Sequence, residues 1–183
     1  MSNLTKKVLA QALKDKINEK ELAQITVSEL TTMCGIKRQT FYYHFTDIYD
    51  LLQWIYLNDL EKINTIHHFS SWQMGYVYVL DYVKENKNLI VKTYHSIAKD
   101  YFHHFVMEHI NQVIFKEIEE KTKDKNISLD SKKFLTNYYK NVLIGFIKDW
   151  IEDGMIEDTE SLIKNVDCIL EGSIDLYFKN LNK

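Results

Sequence analysis

The stretch Lys37-Arg38-Gln39-Thr40-Phe41-Tyr42-Tyr43-His44 carries two cations, an amide, a hydroxyl, two phenols and an imidazole around one apolar residue. Arginine and lysine pair with guanine O6 and N7, and glutamine with adenine N6 and N7. Threonine, tyrosine and histidine suit phosphate and sugar oxygens. A short helix bearing these types, with Phe41 and Phe45 turned into a core, has the make-up of one that enters the major groove of duplex DNA with its N-terminal residues on base edges. The plain alternative is a solvated helix with exposed tyrosines, and residue types alone leave both readings open.

Such a helix needs others to hold it. Upstream lies Thr26-Val27-Ser28-Glu29-Leu30-Thr31-Thr32-Met33-Cys34-Gly35-Ile36. Thr26 and Glu29 have capping-box spacing, each side chain able to bond the other's free backbone N–H. They start a short helix that ends near Cys34. Gly35 supplies the left-handed corner, which glycine adopts at little steric cost. A second short helix then runs from about Lys37 to Phe45, giving a helix-turn-helix. Val27, Leu30 and Cys34 are expected to face inward on the first member, with Ile36, Phe41 and Phe45 around the second. A helix over about Thr5–Lys20, with Leu9, Leu13 and Ile17 in one stripe beside Val8 and Ala12, is the third wall of this small core.

The rest of the chain also reads as helical. Among 183 residues there are no prolines and only five glycines, too few breakers for a sandwich or barrel. At 45% apolar and 13% aromatic the chain is too hydrophobic for a disordered tail and long enough to bury a core. A linking helix is expected over about Asp47–Ile66, with Asp47 and Asp50 at its positive end and Leu51, Leu52, Ile55, Leu57, Leu60 and Ile63 at helical spacing. His67 and His68 would suit its negative end. Further helices are expected at about 71–86, 88–96, 99–121, 131–152 and 159–180, with a polar loop over 121–130 and Gly154 closing the penultimate helix. Positions 1–50 hold seven basic and six acidic residues, whereas the whole chain is net −3. That excludes a binder that is basic all over but not a small DNA-reading head on an acidic body.

Other chemistries find little support. There is no Gly-rich phosphate loop, no Gly-x-Ser-x-Gly elbow and no His-Glu-x-x-His, so no catalytic residues are assigned. His103, His104 and His109 lie near Glu108, but no cysteine joins them, and exposed histidines beside an acid are the plainer reading; no metal or cofactor is expected. Cys34 and Cys168 make no disulfide framework. No signal-peptide core or bilayer-length apolar run is present, so a cytoplasmic protein with no membrane partner is expected. The aromatic stretch containing Trp72, Tyr76, Tyr82, Tyr94, His95, Tyr101 and Phe102 reads either as an effector pocket or as ordinary core. On the last two helices, one stripe holds Leu135, Tyr139, Val142, Phe146 and Trp150. Another holds Leu162, Val166, Ile169, Ser173 and Tyr177. These are the candidate dimer interface, two helices per subunit making a four-helix bundle.

Thr26-Val27, Leu30, Cys34-Gly35-Ile36 and Thr40-Phe41-Tyr42-Tyr43-His44-Phe45 together resemble the DNA-binding module of the TetR family of bacterial transcription regulators, over about residues 5–55. The resemblance implies an all-α homodimer, with a three-helix DNA-binding head over 1–46 and a larger helical regulatory and dimerisation body over 47–183. It implies Thr26 on phosphate, Lys37 to Thr40 at bases or nearby phosphates, and Tyr42, Tyr43 and His44 on phosphate or sugar of a palindromic operator. The chain departs from the family pattern at Thr31, where a small residue is usual, at Ile48, where a lysine is usual, and at Lys37, where a Ser or Thr cap is usual. Together with Gly145-Phe146-Ile147-Lys148-Asp149-Trp150-Ile151-Glu152-Asp153-Gly154-Met155, the head looks most like the branch associated with dihydroxyacetone kinase operons. That branch implies an activator whose signal arrives through a kinase-like protein co-activator. The alternative is a repressor, of a drug-efflux gene for example, released by a small-molecule effector.

Overall fold

The computed structural model describes residues 2–66, 69 and 71–181, and among these there are nine α-helices and no strand. They are α1 (Ser2–Glu19), α2 (Val27–Met33), α3 (Arg38–His44), α4 (Ile48–Ile66), α5 (Trp72–Glu85), α6 (Lys87–Tyr94), α7 (Lys99–Lys121), α8 (Leu129–Glu152) and α9 (Thr159–Leu181). A single 3-10 turn, Leu22–Gln24, occupies the bend expected after α1. His67 and His68 lie outside the described residues, as does the side chain of Ile63.

The chain divides into two compact units, Met1–His67 with Asn86–Phe105 and His68–Glu85 with Val106–Lys183. The expected functional boundary after residue 46 is therefore not a packing boundary. The helix that follows it, α4, belongs with the head because Leu51, Leu52, Ile55 and Tyr56 are buried in the same unit as α1. In this first unit the stripe Leu9, Leu13 and Ile17 is fully buried, along with Leu30, Phe41 and Phe45. Along α4 the four-residue spacing from Leu52 through Tyr56 to Leu60 carries the buried face, so Leu57, expected in the core, points to solvent instead. Val8 likewise lies outside the buried stripe of α1. Val27, Cys34 and Ile36, expected inward, are half-buried.

The second unit packs α5, the later turns of α7, α8 and α9. Trp72, Tyr76, Val79 and Leu80 of α5 are buried, as are Ile110, Ile114 and Ile118 of α7. Gly75 lets α5 and α7 approach closely: a Cβ there would stand 2.6 Å from a Val113 methyl. At the end of α8, Gly154 (φ +77°) donates its N–H to Ile151 O, and Met155 donates to Trp150 O, closing the helix with a Schellman pair. The indole N–H of Trp150 then reaches Glu157 O at 3.0 Å and ties the turn down.

Five residues of the expected dimer stripes do not face outward. Leu135, Tyr139, Trp150, Leu162 and Val166 are buried inside their own unit, because each sits on the side of α8 or α9 that its neighbours cover. Ser173 and Tyr177 are half-buried, and Val142, Phe146 and Ile169 are exposed. Phe134 and Tyr138, absent from the expected set, are exposed as well, as is Leu176, expected beside the second stripe, and Phe134 stacks on Tyr177 with centroids 6.0 Å apart. The exposed run Phe134, Tyr138, Val142 and Phe146 keeps a strict four-residue spacing in the sequence. It was obscured because α8 carries a second apolar stripe one residue away.

Candidate nucleic-acid interface

The corner that aims α3 is built from backbone hydrogen bonds. Gly35 (φ +64°) donates to Thr32 O at 3.2 Å and Ile36 donates to Thr31 O at 3.0 Å, the two bonds of a Schellman motif. At the other end of α2, Thr26 Oγ1 accepts from Glu29 N, and Glu29 Oε2 accepts from Thr26 N at 2.9 Å. The capping box read from the sequence is thus present. It is reinforced from the residue after α1, because Lys20 Nζ donates to both Glu29 oxygens at 2.6 and 2.7 Å and also to Gln24 O at 2.8 Å. The Lys20 bond first, then those from Thr26, hold the Glu29 carboxyl at about 2. The Thr26 hydroxyl also donates to Glu29 Oε2 at 2.8 Å, so its one proton is already committed within the cap.

On this corner α3 presents its chemistry outward. Phe41 and Phe45 are buried, with ring centroids 5.8 Å apart, and they fix which face of the helix is free. Lys37, Arg38 and Gln39 are exposed, Thr40 and His44 are half-buried, and Tyr42 and Tyr43 are 59% and 81% exposed. Lys37 is the N-cap residue, in extended conformation with no side-chain cap bond, since an ammonium offers no acceptor to the helix's free N–H groups. The Thr31 hydroxyl is satisfied by Val27 O at 2.9 Å and Ser28 O at 3.1 Å, which is how the head buries a residue larger than the family's usual one. Ile48 is buried and offers no charge to a duplex. The start of α4 is closed by carboxylates instead: Asp50 N donates to Asp47 Oδ1, and Thr46 N donates to Asp50 Oδ2, both at 2.8 Å. One contact had no signal in the sequence. The Lys6 ammonium lies 5.5 Å from the centroid of Phe45 and 5.8 Å from that of Trp54.

Within the same unit the head is wired to α4 and α6. Lys14 Nζ reaches Asp59 Oδ2 at 3.3 Å and Asn86 Oδ1 at 3.4 Å. Asn88 Nδ2 donates to Asn18 Oδ1 at 2.8 Å, and Lys92 Nζ donates to Lys20 O at 3.1 Å, with Glu21 3.5 Å away. Lys20 therefore joins the capping box of α2, through its side chain, to α6, through its carbonyl.

The aromatic stretch resolves mostly into core. Trp72, Tyr76, Tyr82, Phe102 and His109 are buried, Tyr94 and Tyr101 are half-buried, and His95, His103 and His104 face solvent. Burial pushes the Tyr56 and Tyr76 phenols well above their ordinary values, so both remain donors, to Thr93 Oγ1 and Leu143 O. His109 donates from Nε2 to Gly75 O at 3.3 Å. A hollow of about 60 Å³ in the first unit is lined by Gln53, Tyr56, Leu57, Leu60, Tyr101, His104 and Phe105. It is far below the roughly 300–1,000 Å³ of drug-sized pockets. Among the described residues no group of three or more His, Cys, Asp or Glu side chains is arranged to hold a metal ion, and no helix is long and apolar enough to cross a membrane.

Residues 70–172 match a TetR-class family model described as a transcriptional regulator C-terminal region. Over 180 residues, covering 96% of this chain and 94% of the relative, the sequence is 31% identical to the HTH-type dhaKLM operon transcriptional activator DhaS of Lactococcus lactis subsp. lactis (strain IL1403). Among solved structures, the dihydroxyacetone kinase operon activator DhaS superposes with a TM-score of 0.77 at 28% identity, over 94% of this chain and 97% of that one. NalD, the secondary repressor of the MexAB-OprM multidrug efflux pump in Pseudomonas aeruginosa, superposes with a TM-score of 0.59 at 12% identity over 91% of this chain and 94% of its own; that likeness concerns the fold alone.

Proposed function

Because the chain belongs to the TetR family of transcription regulators, we propose that it binds a palindromic operator as a cytoplasmic homodimer and activates a dihydroxyacetone-utilisation operon when a kinase-like protein co-activator engages its body. The observation that carries DNA reading is the outward presentation of Lys37, Arg38, Gln39, Tyr42 and Tyr43 on a helix whose opposite face is locked by Phe41 and Phe45. Arg38 and Gln39 take base edges; Tyr42, Tyr43 and His44 take phosphate and sugar; Thr26 takes phosphate by turning its hydroxyl out of the capping box. Residues 1–46 act as the head and 47–183 as the regulatory and dimerisation body.

Self-association is supported by the exposed apolar residues Phe134, Tyr138, Val142 and Phe146 on α8 and Ile169 and Leu176 on α9. Two copies joined there bring two heads to one operator, and half-sites about 34–36 Å apart suit a two-fold dimer on a palindrome. A protein rather than a small-molecule signal is what the likeness to regulators of dihydroxyacetone kinase operons implies. The signal tilts α4, which Asp59 ties to Lys14 of α1 at 3.3 Å, and the head moves with it. A preference of a few kcal/mol for one head spacing is enough to switch occupancy.

The test is selection of duplexes from a random library, then gel-shift titration of the recovered operator. Arg38→Ala should weaken binding by about 1–3 kcal/mol per half-site and relax base preference at one position. Wild-type affinity and specificity in that variant would overturn the assignment of α3 as the reading helix.

A further inference from the structure

Charge pairing in the head singles out one cation. Lys14 pairs with Asp59 at 3.3 Å, Lys16 with Glu19, and Lys20 with Glu29 at 2.6 Å. Among the described residues, Lys6, Lys7, Lys37 and Arg38 pair with no carboxylate. Lys37 and Arg38 already belong to the reading helix and its cap. Lys7 is exposed, and no contact fixes it. Lys6 is different: it is half-buried, and its ammonium rests over two rings, Phe45 and Trp54, which themselves meet edge to face at 6.0 Å.

A lysine ammonium is a compact, strongly hydrated charge on a flexible stem. Ring faces attract it through their quadrupole but carry no net charge, so they restrict it without neutralising it. Phe45 is the C-cap residue of α3 and directly follows Tyr43-His44, which stand on the outward side. The two rings therefore hold an uncompensated positive charge beside the C-terminal end of the reading helix, supplied by a different helix.

We infer that Lys6 contacts a backbone phosphate of the bound duplex, with Phe45 and Trp54 as the residues that position it. This rests on the reading that α3 enters the groove. The ammonium comes from α1, outside the helix that enters the groove, so it is not offered to base edges. Its contribution is to affinity for every sequence alike.

Counter-ion release gives a readout that packing cannot imitate. Each neutralised phosphate contributes about 0.9 to the slope of log affinity against log salt. Lys6→Met keeps the stem on the rings and removes the charge. In titrations of the full-length protein on a library-selected duplex, Lys6→Met should lower the slope by about 0.9 per head. Over a fourfold rise in salt the wild type should accordingly lose about 3.5-fold more affinity per head than the variant. Lys6→Arg should retain the wild-type slope, and base preference should be unchanged in both. If Lys6→Met weakens binding with the slope intact, Lys6 only braces the rings and the inference is overturned. An unchanged affinity and slope overturns it too. Both results leave the DNA-binding reading standing as long as the wild type binds and Arg38→Ala binds more weakly with relaxed base preference. If the wild type shows no salt-dependent duplex binding, both readings fail together.

Discussion

Gly35 is the position where one methyl group should separate backbone conformation from packing. Its φ is +64°, and a Cβ built there would find nothing within 4 Å. No clash contributes, so the whole cost of Gly35→Ala comes from holding an L-residue in the left-handed region, roughly 1–2 kcal/mol. Alanine also restricts the unfolded chain, which returns roughly 0.4–1 kcal/mol. The net loss should be about 1 kcal/mol, or about 2–4 °C in melting temperature for a chain of this size. Gly35→Asn should cost less, because its short polar side chain tolerates that region, and Gly35→Val more, because β-branching does not. Trp54 packs edge-on against Phe45 and so reports on the head; fluorescence melts are best followed with Trp72 and Trp150 replaced by Phe. A chain that instead escapes to negative φ must give up the Gly35–Thr32 and Ile36–Thr31 bonds and re-aim α3, so operator affinity should fall further than stability does. Gly35→Ala with wild-type stability, or a series in which Val is tolerated as well as Asn, would refute the left-handed corner and with it the aim of the reading helix.

Three other outcomes follow from particular contacts. Glu29 is held near 2 by Lys20 and Thr26 against an ordinary value of 4.5, so its contribution to stability is complete above about pH 4.5 and is lost as pH falls toward 2. Glu29→Gln should flatten that part of an acid-denaturation curve monitored at Trp54, and an unchanged acid limb would count against the Lys20 bond. Gly75→Ala places a Cβ 2.6 Å from a Val113 methyl and should destabilise by about 1–3 kcal/mol. Val113→Ala should rescue much of that loss in a double-mutant cycle by denaturant unfolding, and strict additivity would show that the two helices do not meet there. Tyr138→Glu puts a charge into the exposed apolar run of α8. Sedimentation should then show a monomer with its helicity intact, whereas a dimer as tight as wild type would move the self-association surface elsewhere.

Local order was legible in the chain wherever one segment decides its own conformation. The Thr26/Glu29 spacing and the single glycine at 35 specify a start and a stop within eleven residues of each other, because capping and left-handed turns are satisfied by neighbouring backbone groups. The all-helical class followed in the same way from periodicity and the lack of prolines. The outward chemistry of α3 was readable because Phe41 and Phe45 leave only one side to solvent. Tertiary structure decided what depends on partners distant in the chain. A helix such as α8 with apolar residues on two sides does not announce which side its own unit covers; packing turned Leu135, Tyr139 and Trp150 inward and left Phe134, Tyr138 and Val142 outside. Packing likewise bound Lys20 to Glu29 and laid Lys6 on Phe45 and Trp54. Those side chains meet only after the helices have docked, and no spacing rule within one helix encodes a contact between two.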